Sequence, residues 1–289
     1  MFGWRLAMVS LILEYGFAQR ALVTGLIVGL ISPVIGLFIV ARRLSVISEV
    51  LSQMSLSGIA FGSMLGSFVP FLQPVSPPLY GAVFAVIGAF FVEWLSKVYR
   101  DFSEVVIPIL LSFGIGLSVL LFSMMDGFTV DFAGYLFGNL LAVSKWDVVL
   151  TAVVGAGVFI TVALFYHPLL AMMFDREFSG VIGIRTQFVQ VVFMIVMALT
   201  ISVAVRAVGV LLVTGLMILP VASAMLLANG FKKTMAYSVM ISEMSIVIGF
   251  VAAYYFQLAS GGTIIVTAVF IFLAILVGKR AVFWFAVKS

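Results

Sequence analysis

The sequence predicts an all-α, polytopic helical membrane protein, and three observations predict it. Of 289 residues, 64% are hydrophobic and 9% charged, whereas a soluble domain carries about 25% charged residues. The mean hydropathy is +1.33. Apolar runs of about 20 residues alternate with clusters of charge, which means helices rather than an outer-membrane barrel. No stretch between the runs is long enough for a soluble domain, so residues 1–289 read as a single transmembrane domain.

The elements follow in chain order. Residues 1–16 do not read as a signal peptide, because only about eight apolar residues separate Arg5 from Glu14 and no small-residue cleavage site follows. They read as an interfacial segment, with Phe2, Trp4 and Tyr15 at headgroup level. A first span, 18–40, ends at Arg42 and Arg43; a second, 49–69, leads into the proline-rich link FLQPVSPPLYG. The third, 82–96, ends in Lys97 and Arg100, and Glu93 lies one turn from Lys97, where an ion pair or snorkelling is expected. The fourth, 105–125, ends in the acidic loop from Asp126 to Asp131. The next stretch, DFAGYLFGNLLAVSKWD, is too short and too polar at its ends to span, and reads as a surface or re-entrant helix. Spans five to nine cover 148–166, 189–205, 208–227, 235–256 and 263–277, the fifth followed by the charged link HPLLAMMFDREFSGVIGIRTQ.

Basic residues at 42–43, 97–100, 176–185, 232–233 and 279–280 fall in alternate links. Lys145 and Arg206 depart from that pattern. Positive charge marks cytoplasmic links, so the N-terminus is expected outside and the C-terminus inside. Nine spans satisfy this parity, and eight do if one short segment is re-entrant. The net charge of +4 sits at span ends, and no nucleic-acid partner is expected. The absence of cysteine excludes disulfides and thiolate metal sites. No Gly-rich run ends in Lys-Ser or Lys-Thr, so the chain carries no nucleotide-binding loop of its own.

Few residues remain to carry chemistry. Glu49 and Gln53 are four positions apart, about one helical turn, and so share a face. A charged group inside a membrane costs roughly 2.5 kcal/mol or more, so Glu49 asks for a reason. Gly58, Gly62 and Gly66 form a repeated small-xxx-small pattern for close helix packing. Gly58 is nine steps of about 100° from Glu49, on the opposite side of the helix. Glu243 is the other carboxylate well inside a span, either a cation site or a hydrogen-bonded structural group. His167, the single histidine, stands before Pro168 at a span end and reads as interfacial. The methionines form no ladder, and read as core or lipid-facing filler. Pro220 is expected to kink span seven, as suits a path-lining helix. In FDREFSGVIGI, Asp175 suits an N-cap and Gly183 a left-handed C-terminal stop, so a short amphipathic cytoplasmic helix is expected there. It would present a grip for a soluble partner, or simply connect two spans.

Four ordered blocks, ARRLSVISEVLSQMSLSGIAFGSMLG, YLFGNLLAVS, FDREFSGVIGI and ALTISVAVRAVGVLLVTGLMILPVASA, resemble the membrane permeases of bacterial zinc/manganese ATP-binding-cassette importers. The resemblance covers nearly the whole chain. It implies a multi-pass protein of the bacterial plasma membrane, similar in fold to type II importer permeases and not itself an enzyme. It implies a homodimer on separate ATPase subunits that bind the ATP, fed by an extracytoplasmic metal-binding lipoprotein or periplasmic protein. No cofactor would be held permanently; the cargo would be zinc, or next manganese. Residues 171–185, with Phe174, Asp175, Arg176, Glu177, Gly180 and Gly183, would form the coupling helix that docks on the ATPase. Family members carry aspartate and histidine where this chain has Glu49 and Gln53, positions taken to contact metal. Glu49 keeps a carboxylate, but an amide is a weak zinc ligand, so the site is weaker or harder in character, or completed by another residue such as Glu243. The alternatives are a secondary transporter using Glu49 and Glu243 as proton or cation sites, and an importer permease for a metal chelate.

Overall fold

A computed structural model of the chain describes residues 16–68, 77–99, 103–125, 134–138 and 143–288. Ten helices account for nearly all of them: α1 (Gly16–Ala41), α2 (Ser45–Phe68), α3 (Pro77–Val98), α4 (Ser103–Ser123), α5 (Lys145–Phe174), α6 (Arg176–Val181), α7 (Thr186–Val208), α8 (Val210–Leu227), α9 (Phe231–Phe256) and α10 (Ser260–Lys288). The interfacial segment expected at 1–16 lies outside the described residues except for Gly16, which opens α1. The acidic loop from Asp126 to Asp131 lies outside them as well.

Among the described residues, seven helices are long and apolar enough to cross a membrane: α1, α3, α4, α5, α7, α9 and α10. The expected nine spans exceed that number by α2 and α8. α2 is long enough at 24 residues, but serines, Glu49 and Gln53 dilute its apolar content. α8 is apolar throughout but only 18 residues long. Both are enclosed by protein, with Leu51, Leu56 and Ile59 of α2 and Leu216, Met217 and Val221 of α8 fully buried. A helix wrapped by other helices has no lipid to satisfy, and its polar groups cost less there than on the outside of the bundle.

α2 packs chiefly on α3 and α4 and touches α7 and α8, while α1 packs on α5, α7, α8 and α9. Gly58 and Gly62 sit hard against α3: a Cβ on Gly58 would strike the Tyr80 carbonyl and the Phe84 Cβ, and one on Gly62 the Tyr80 ring. Gly66 approaches no described residue that closely. Gly58→Leu is therefore expected to force α2 off α3 and lower the amount of folded protein in the membrane, whereas Gly66→Leu should leave it unchanged, as read by detergent-solubilised monodispersity.

Several boundaries differ from the sequence reading, and α10 runs on to Lys288 instead of ending near 277. α5 runs for 30 residues to Phe174, past His167 and Pro168 where the fifth span was expected to end, so residues 171–174 are its last turn rather than part of a coupling link. The helix accommodates Pro168 through a break at Phe165 (φ −101°, ψ 15°), three residues upstream of the proline. Pro220 is buried in α8, which continues on both sides of it.

Candidate functional site

The turn that launches α2 is built from the end of α1. Arg43 adopts φ +57°, a conformation rare for a residue with a Cβ. The Leu44 amide donates to the Ile39 carbonyl at 2.9 Å and the Arg43 amide to that of Val40 at 3.1 Å. These are the paired bonds of a Schellman stop, with arginine where glycine is usual. α2 then begins at Ser45, with the Ser48 hydroxyl donating to the Ser45 carbonyl at 2.6 Å and Ser52 to that of Ser48 at 2.9 Å. Those hydroxyls are thereby committed to the backbone.

Glu49 and Gln53 face one another along α2, the Gln53 amide donating to the Glu49 carboxylate at 3.3 Å. Gln53 is buried beside Gly114 of α4, and Glu49 is half-buried. Because the amide nitrogen points at Glu49, both groups offer oxygen to anything else that approaches. Glu49 is four residues into α2, roughly 6 Å along its axis at 1.5 Å per residue, so it lies near one end of the bundle rather than at its middle.

Glu243 occupies a different place. It is twelve residues into α9, roughly 18 Å along the helix by the same rise. α9 starts from the same end of the bundle, since the Phe231 ring lies 5.2 Å from that of Phe38, near the end of α1. Glu243 Oε1 and the neighbouring Ser242 Oγ are both buried without a hydrogen bond, and both face Gly29 of α1. A buried acceptor without a donor is costly, and a cation would relieve it. The structure does not bring Glu243 to Glu49 and Gln53. Among the described residues there is no group of three or more His, Cys, Asp and Glu side chains able to hold a metal ion. His167 is exposed, its ring edge-on to Tyr166 at 5.4 Å. Glu93 pairs with Lys97 at 3.2 Å.

The segment after α5 is a capped single turn and a half. The Phe178 amide donates to the Asp175 carboxylate at 3.0 Å, and the buried Ser179 hydroxyl to the Asp175 carbonyl at 2.6 Å. At the other end Gly183 takes φ +87°, with Ile184 donating to the Ser179 carbonyl at 3.1 Å and Gly183 to that of Gly180 at 3.2 Å. α6 thus stands as a rigid knuckle between α5 and α7. Phe174 and Val181 are 80% and 83% exposed, Phe178 and Ile182 are exposed too, and a side chain on Gly180 would meet nothing. These side chains leave an apolar patch at the turn between α5 and α7.

One constellation had no place in the sequence reading. Arg206, at the end of α7, pairs with Asp147 of α5 at 2.7 Å, with the carboxylate side chain 7% exposed. The same carboxylate closes a capping box with Ser144, accepting from its amide at 2.8 Å and its hydroxyl at 2.6 Å. Arg20 of α1 donates to the adjacent Val143 carbonyl at 3.2 Å. The pairing gives Arg206, one of the two residues outside the charge alternation, a buried counter-charge. Its trace in the sequence is the Ser-x-x-Asp spacing before an apolar run.

Comparison with known proteins places these features. The model of the ABC 3 transport family matches residues 14–279. The manganese transport system membrane protein MntC of Listeria innocua is 32% identical over 261 residues, 90% of each chain. The high-affinity zinc uptake system membrane protein ZnuB of Haemophilus influenzae is 29% identical over 255 residues, covering 87% of this chain and 94% of that one. Among solved structures, PsaBC from Streptococcus pneumoniae in complex with Fab superposes with a TM-score of 0.83 at 27% identity, over 93% of this chain and 94% of that one. The resemblance read from the four sequence blocks is thereby confirmed, and a transporter working alone on an ion gradient is set aside. The chain belongs to the ABC 3 transport family, as a multi-pass membrane permease subunit of a metal-ion ABC transporter, not itself an enzyme.

Proposed function

We propose that this permease imports a bare divalent metal ion, manganese in preference to zinc, through a path that passes Glu49 and Gln53. The observation that carries the reading is the donor set. A carboxylate and an amide turned so that both offer oxygen suit a hard cation, while zinc favours imidazole and thiolate. The family resemblance put zinc first and manganese next, and Gln53, standing where family members carry a histidine, weakens the argument for zinc. Zinc stays the second reading, favoured by the Haemophilus relative. With two donors in one chain, water, backbone carbonyls or a second copy complete the coordination, and Glu243 serves as a separate station deeper in the bundle. Gln53→His should shift uptake toward zinc in a competition assay with equimolar isotopes; an unchanged ratio removes Gln53 from the selectivity.

The working assembly is a dimer of this single domain, residues 1–289, with nine crossings once α2 and α8 are counted. Its N-terminus is outside, and an extracytoplasmic metal-binding protein delivers the ion. Separate ATPase subunits bind ATP and grip α6 between Asp175 and Gly183. The exposed apolar side chains of α6 and the open space at Gly180 support that grip. Gly180→Trp is expected to leave membrane levels unchanged while abolishing co-purification of the ATPase. Normal co-purification would remove α6 from the interface.

A further inference from the structure

Between the knuckle that receives the ATPase and the carboxylate on α2 lies a contact that neither feature requires. The Arg42 guanidinium, at the end of α1, donates to the side-chain oxygen of Gln190 on α7. Its centre also lies 5.8 Å from the middle of the Phe193 ring, one turn further along α7. Gln190 is 4% exposed and Phe193 2%, so this is an interior contact and not a surface ornament. A guanidinium held by an amide oxygen on one side and an aromatic face on the other is fixed in plane and in position.

Both ends of the contact are stiffly joined to working parts. On one side, α6 is tied by its Schellman bonds at Gly183 to α7, which begins at Thr186, one turn before Gln190. Ile184 packs on the core, and Val189 is buried, so the link has no slack to absorb a displacement of α6. On the other side, Arg42 is followed by the left-handed Arg43, by Leu44, and by the first residue of α2. Glu49 is reached one turn into that helix. The rings of Phe38, Phe193, Phe231 and Tyr166 stack at 5.2–6.1 Å around the same level and hold α1, α5, α7 and α9 together.

We infer that Arg42 is a positioning residue that carries movement of the ATPase-docking knuckle, through Gln190 and Phe193, to the α1–α2 turn and so to Glu49. The inference rests on the proposed roles of α6 and Glu49. When α6 is pushed or drawn by the ATPase, the first turn of α7 moves with it, and Gln190 drags the guanidinium. The turn at Arg43 is held by its paired backbone bonds and by Leu44 packed on the core, so a displacement of Arg42 is passed on to Ser45 and α2 rather than absorbed. α2 then shifts relative to α4, and the pair Glu49–Gln53 opens or closes against Gly114.

The test uses the intact transporter in proteoliposomes with its ATPase and metal-loaded carrier protein. Gln190→Leu keeps volume and removes the acceptor; Arg42→Gln removes the guanidinium; the exchanged pair Arg42→Gln with Gln190→Arg restores a guanidinium–amide bond in reverse. Gln190→Leu and Arg42→Gln should accumulate normally, retain the ATPase on purification and show parental basal ATP hydrolysis. Stimulation of hydrolysis by metal-loaded carrier, and metal uptake, should each fall about tenfold, the scale of a coupling of roughly 1.4 kcal/mol. The exchanged pair should recover a large part of both. Parental uptake in Gln190→Leu overturns the inference, and so does failure of that variant to accumulate or to hold its ATPase, since the contact is then one of folding or docking. Gly180→Trp is run alongside. If it keeps its ATPase, the docking role of α6 has failed, whatever the Arg42 series shows.

Discussion

Glu49→Gln is expected to cut metal uptake about tenfold or more, with membrane levels and ATPase association unchanged. An ion entering a bundle wrapped in about 30 Å of hydrocarbon gives up hydration that only ligands on its path replace. Glutamine nearly keeps the volume of Glu49 and can still accept from the Gln53 amide, which now reaches the carboxylate at 3.3 Å. The substitution therefore removes charge and little else. Nearby hydroxyls do not depend on Glu49, because Ser48 and Ser52 donate to the backbone of α2. Uptake equal to the parent would make Glu49 structural, and Glu243→Gln would then be the next variant. Glu243 faces Gly29 with an unpartnered buried oxygen, so loss of its charge bears on a different helix pair.

What the sequence made legible was local, and what it hid was distant. Asp175 and Gly183 are eight residues apart, and their cap and left-handed stop are decided by short-range backbone chemistry that residue type announces. The Glu49–Gln53 pairing is likewise a matter of one helical turn. The span bounds read from the sequence, 49–69 and 235–256, already set Glu49 at the start of its helix and Glu243 within its own, but not which helices each would face. The start of α2 is set by an arginine, not a glycine, in the left-handed turn, which no turn rule would choose. Hydropathy thins at α2, but only the assembled bundle shows which helices surround α2 and α8. Glycine spacing pointed to Gly58, Gly62 and Gly66 alike, but only the first two meet α3, because that helix crosses α2 at Tyr80 and Phe84. The contacts Arg42–Gln190 and Asp147–Arg206 join positions 148 and 59 residues apart, and their partners become visible only when the helices are assembled.

The second large effect is expected at Asp147, on stability rather than on transport. Both oxygens of this carboxylate are engaged, one by Arg206 at 2.7 Å and one by the amide and hydroxyl of Ser144. Asp147→Ala loses the reciprocal half of the capping box while the Ser144 hydroxyl still accepts from the residue-147 amide, a loss of about 0.5 kcal/mol. It also leaves a guanidinium in a site built for a pair, and breaking a buried pair from one side costs about 3–5 kcal/mol. The Arg206 side chain is 29% exposed, so water screens part of that cost, and a total of about 3 kcal/mol follows. The damage is localised at the contact of α5 with α7 and with Arg20 of α1, far along the bundle from α6. Purified Asp147→Ala should therefore melt well below the parent yet still bind its ATPase at low temperature. Most of the loss comes from the stranded charge, so adding Arg206→Met, which removes that charge and keeps an apolar stem, should raise the melting temperature again. If the double variant melts no higher than Asp147→Ala, the lost cap and not the unpaired arginine is the cause. If Asp147→Ala melts with the parent, the ion pair contributes nothing to holding this end of the bundle together.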